Sequence, residues 1–166
     1  MTDLPLHPAI VHVPLGLAFV MPLVATALAW AIWWAKLPRG AFAIVAGLQL
    51  VLSVAGFVAI GLGHDDAEKA AAYTPTPAIE AHEEAAETFV WVSVGVLALS
   101  VATLFVPRSK APILAAVVAA GTVAVTALAV DAGRKGGTLV FQYGAGSLAR
   151  GQHAASPGEP GRPHHG

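Results

Sequence analysis

The sequence predicts an all-α integral membrane protein, a four-helix bundle of two antiparallel hairpins, on three observations. Of 166 residues, 56% are hydrophobic and only 11% charged, where soluble domains carry roughly 25% charged residues. Mean hydropathy is +0.68. The charges are also clumped, so that Leu4 to Ala35, Gly40 to His64, Thr88 to Pro107 and Ala111 to Val130 contain no Lys, Arg, Asp or Glu. Each stretch is long enough for a transmembrane helix, which takes roughly 20 apolar residues.

Hydrocarbon offers bare backbone no hydrogen bonds, and segments this long and evenly apolar are helices rather than barrel strands. Their expected limits are 8–35, 41–63, 77–106 and 111–131. The opening MTDLPLHPAIVHVPLG lacks the basic region of a signal peptide and runs straight into the first span, so it is expected to be retained. Trp30, Trp33 and Trp34 stand just before Lys36, where an interfacial aromatic belt belongs. Pro38 and Gly40 break the first connection, and Pro107 with Pro112 bracket the third, which makes both turns short. In the second span, Ala43 with Gly47 and Ala55 with Ala59 offer the four-residue spacing of close helix packing.

The middle connection, HDDAEKAAAYTPTPAIEAHEEAAET, is longer. Thr76 suits an N-cap and Pro77 a first helical residue, so the third helix starts well before its apolar part. After Val130 the run DAGRKGGTLVFQYGAG reads as a turn and a short extended C-terminal segment. Asp131 is expected to pair with Arg134 or Lys135. Residues 1–150 form one transmembrane domain, and the Pro-, Gly- and His-rich residues 151–166 read as a disordered tail.

Charge sets the orientation. The first connection holds Lys36 and Arg39 and the third Arg108 and Lys110, with no acid in either, so the positive-inside rule places both in the cytoplasm. All ten acids and both termini then lie outside, N-out and C-out. The expected location is the inner membrane of a bacterium, with the lipid bilayer as first partner.

This topology brings His7, His12, His64 and His82, from three helices, to the outer end of the bundle. His12 interrupts the apolar IVHVPLGLAF, where imidazole needs a hydrogen bond, a proton or a metal, and it is expected to face the bundle interior. Together with Asp65, Asp66, Glu83 and Glu87, the four histidines are candidate ligands of a transition metal or haem iron. His12 and His82 are the favoured pair. On a regular helix His7 and His12 would point about 140° apart and would not share a metal. Asp65, Glu83 and Glu87 are candidates to hydrogen-bond a ligating imidazole, whereas Glu84 reads as a solvated first-turn residue. With no cysteine, thiolate ligands, disulfides and covalent c-type haem are excluded.

Three segments carry a family likeness. LPLHPAIVHVPLGL, IEAHEEAAETF and GRKGGTLVFQYGAG resemble the signatures of a bacterial family of four-helix membrane proteins, domain of unknown function 2231, over residues 4 to 146. The first motif, His-Pro-x-x-Val-His followed by an apolar residue and Pro, is fairly specific, and the other two are weaker. The resemblance implies association with redox proteins and a haem or metal role for His7, His12 and His82. Some relatives carry a histidine where this chain has Arg134.

The expected function is therefore a histidine-lined metal or b-type haem site on the periplasmic face, serving electron transfer or redox-linked assembly with a periplasmic or membrane redox partner. The inner half has no His or Cys, so electrons would enter and leave on the outer side. The alternative is a non-catalytic scaffold or subunit that docks a periplasmic or membrane partner, with GGTLVFQYGAG as an extended interface. An independent enzyme is disfavoured, since no hydrolase triad signature, phosphate loop or zinc-protease motif is present. No basic stripe suggests nucleic acid. No charge sits at a span's centre to carry transport, which would need a homo-oligomer.

Overall fold

The computed structural model describes residues 12–34, 36–70 and 74–143, with the side chains of 64–70 outside the description. Helix α1 spans His12–Trp33, and a 3-10 turn at Arg39–Phe42 leads into α2, Ala43–Ala70. After a short connection come α3, Thr76–Phe105, and α4, Ala111–Phe141. All four are long and apolar enough to cross a membrane. They close a ring in which α4 packs on α3 and α1, and α2 packs on α1 and α3. The expected all-α bundle stands.

The helix limits differ from those expected. Helix α2 continues past residue 63 to Ala70, because Ala, Glu and Lys in HDDAEKA sustain a helix outside lipid. Helix α3 begins at Thr76 itself, with Pro75 in the cap position and no side-chain cap bond, so Thr76 is not the N-cap. The extended C-terminal segment is not found. Residues 132–141 belong to α4, and there is no strand among the described residues. Gly133, Gly136 and Gly137 each cost a helix about 1 kcal/mol relative to Ala. Packing of α4 against α3, where the His82 ring lies over Gly136, offsets part of that cost.

The interior is built of small side chains. Half of the buried apolar residues described are alanines, whereas Leu23, Trp30 and Phe105 lie on the outside, facing what would be lipid. Such a distribution suits a solvent in which apolar burial gives no advantage and close backbone approach does. A Cβ at Gly56 would lie 2.8 Å from Val90 Cγ2, and one at Gly121 would lie 2.9 Å from Val96 Cγ2. These two glycines set the α2–α3 and α3–α4 spacings. Ala43 and Gly47 instead point outward, so that pair is not an intrachain contact.

At one end Arg39 Nη1 donates to the Val106 carbonyl, joining the first and third connections and gathering Lys36, Arg39, Arg108 and Lys110. Trp30, Trp33 and Trp34 are exposed there, with Trp30 edge-on to Trp34, as a belt requires.

A polar exchange ties α1 to α4. Pro22 has no N–H, so the Ala18 carbonyl lacks its helical donor. Thr126 Oγ1 supplies one from α4, at 2.5 Å. Thr126→Val should therefore destabilise the bundle by about 1–3 kcal/mol through the bare carbonyl. In a Pro22→Ala background, where the backbone donor returns, the same change should cost much less. A double-mutant cycle of unfolding in detergent measures the coupling, and additive effects would contradict this role.

Candidate functional site

His82 lies in the second turn of α3, half-buried against α4. From His82 to Phe105 the helix rises about 35 Å, more than the ~30 Å of hydrocarbon, so the ring sits near headgroup level. Its Nδ1 is 3.1 Å from the Ala132 carbonyl. A carbonyl only accepts, so Nδ1 carries a proton and donates it to Ala132. Gly136, one turn on from Ala132, makes this approach feasible. A Cβ there would lie 2.9 Å from His82 Cε1 and 3.4 Å from Nδ1. The motifs IEAHEEAAETF and GRKGGTLVF thus meet through an imidazole seated against a glycine.

The other expected residues fall out unevenly. His12 opens α1 and is exposed, not enclosed by the bundle as its apolar surroundings suggested. It is on the helix diagonally opposite α3, since α1 packs on α2 and α4. His7 lies outside the described residues, and so do the side chains of His64, Asp65 and Asp66. Glu83 is half-buried beside His82 in sequence, and Glu84 and Glu87 are exposed. His12, His82 and Glu83 all have interaction partners. Among the described residues, no three His, Asp or Glu side chains come together as a metal-holding group. Asp131 pairs with Lys135 at 2.9 Å on the surface, one of the two partners expected.

A second polar cluster, not anticipated from the sequence, lies between α2 and α3. Gln49 Nε2 donates to Ser93 Oγ at 2.9 Å and to the Ser93 carbonyl at 3.1 Å, and Ser53 Oγ is 2.9 Å from Ser93 Oγ. Gln49 and Ser93 are fully buried, and Gln49 Oε1 has no hydrogen-bond partner. The signal was a glutamine in the otherwise apolar IVAGLQLVL, nearly two turns from the nearer helix end.

Compared with protein-family models, curated proteins and solved structures, the chain finds no match in any of the three.

Gly136→Ala should displace the His82 ring and break its bond to Ala132. The lost bond, about 0.5–1.5 kcal/mol, should cancel most of the 0.5–1 kcal/mol or so that Ala gains over Gly in a helix. Gly133→Ala, with open space around it, should keep the full gain. Thermal unfolding compares the two, and equal stabilisation would show that Gly136 does not seat the imidazole.

Proposed function

We propose that this chain is a multi-pass protein of the bacterial inner membrane that ligates a b-type haem or a transition metal at its periplasmic end through His82, with His12 as the second candidate ligand. The observation that carries the reading is the fixed His82 ring. An Nδ1–H held by a backbone carbonyl orients the imidazole and raises the basicity of Nε2, the arrangement found behind metal-ligating histidines. The likeness of the opening motif and of IEAHEEAAETF to domain of unknown function 2231 points the same way. A bound haem would supply one-electron chemistry. The chain's contribution is to hold one imidazole between two rigid helices near headgroup level, within reach of a redox partner on the outer side.

Orientation follows from the four basic residues gathered at the Arg39–Val106 end, with no acid in either connection. Both termini are then periplasmic. A second reading, a scaffold that docks a periplasmic or membrane partner, draws on the outer ends of α3 and α4, which are too long for the hydrocarbon and carry exposed Glu84, Glu87 and Asp131. An extended docking edge at residues 136–141 is not part of it, because those residues are helical.

Purified protein should show a Soret band or stoichiometric metal, lost in His82→Ala and His12→Ala and retained in His153→Ala. Removing the ligand should lower the melting temperature of the wild type more than that of His82→Ala, since a ligand bound only by the folded state stabilises by mass action. An extract without haem or stoichiometric metal would leave the scaffold. Cysteine labelling at Asp66→Cys and Lys110→Cys should occur from opposite faces, and labelling of both from one face would overturn the orientation.

A further inference from the structure

The seam between α1 and α4 opens outward near its basic end into a groove of about 300 Å³, lined by Thr26, Ala29, Trp30, Trp33, Ala116 and Ala119. Ala29 and Ala119 are buried and form its floor, while the exposed indoles of Trp30 and Trp33 form a wall. The groove is apolar along its length and has cations at its mouth. Lys36 Nζ lies 6.0 Å from the Trp30 ring centroid, and Lys110 immediately precedes α4. Arg39 is engaged with the Val106 carbonyl, which leaves Lys36, Arg108 and Lys110 as the exposed cations of the two connections, with Lys36 beside Trp30 on α1 and Lys110 at the start of α4. No Asp or Glu occurs between residues 4 and 64 or between 88 and 130, so nothing nearby in the sequence offsets their charge.

We infer that this groove is a binding site for an anionic phospholipid, one acyl chain lying along Ala29, Ala116 and Ala119 and the phosphate meeting Lys36 and Lys110. The apolar floor selects a chain and the lysines select its charge. Basic residues at the mouth of an interhelical groove are suited to anionic headgroups, each contributing about fivefold in association. The site is independent of any ligand at His82, which belongs to the other end of the bundle.

Trp34→Phe with Trp91→Phe leaves Trp30 and Trp33 as the only indoles. The full chain carrying these changes is reconstituted in vesicles of phosphatidylcholine with increasing brominated phosphatidylglycerol or, separately, brominated phosphatidylcholine. The anionic lipid should quench at a severalfold lower mole fraction. Lys36→Gln with Lys110→Gln should abolish that preference, and raised salt should weaken it. Ala119→Leu or Ala116→Leu, filling the groove with both lysines intact, should reduce it. Equal quenching by the two lipids overturns the proposal, as does a preference that survives loss of the lysines. A preference unchanged by both groove-filling variants would mean diffuse surface attraction and overturns it too. So would cross-linking of two copies through Trp33→Cys with no lipid-dependent quenching.

Discussion

Hydrocarbon accepts and donates no hydrogen bonds, and the bundle is arranged around that constraint. Four helices satisfy their own backbones, and the exceptions are repaired by side chains. The Ala18 carbonyl, orphaned by Pro22, is met by Thr126. Ser100 and Thr103 turn their hydroxyls back to the carbonyls of Val96 and Leu99 on their own helix. The amide nitrogen of Gln49 finds Ser93 across the α2–α3 seam, although the amide oxygen stays bare. Polar groups therefore act as fixed points between helices whose apolar surfaces have no reason to prefer one neighbour over the lipid.

The same constraint explains what was legible in the sequence. Four spans, their antiparallel order and the belt at Trp30, Trp33 and Trp34 follow from composition, since each depends on where the chain meets lipid. The helix ends do not. Hydropathy marks the point at which a helix leaves the hydrocarbon, and α2 and α4 continue as polar or glycine-containing helices beyond it. Inward faces were equally hidden, because helices that are apolar all round carry no stripe to read. Gly47 and Gly56 are alike in sequence, yet only Gly56 meets a neighbour, the Val90 side chain.

At the candidate site the sequence marked the polar residues but not the groups that hold them. His82 stands out in IEAHEEAAETF, whereas its anchors are a main-chain carbonyl at Ala132 and a missing side chain at Gly136, neither of which has a chemical signature. The glycines of GRKGG suggested a break in the helix. Gly136 instead admits an imidazole from the neighbouring helix without interrupting α4. His12 shows the opposite failure. An apolar sequence context implied an enclosed side chain, but the first residue of α1 lies at the rim of the bundle.

Pro22 also bears on the order of assembly. Synthesis runs from the N-terminus, so α1 enters the membrane more than a hundred residues before Thr126 exists. Until then the Ala18 carbonyl is a defect inside the first helix, and the guanidinium of Arg39 awaits a carbonyl that arrives only with the end of α3. Both debts are settled by the second hairpin. A nascent chain halted after α2 is thus an open half-ring with two unsatisfied contacts, and arrival of α4 makes the membrane-embedded form self-sufficient. The proline that weakens α1 in isolation makes the last helix necessary to the first.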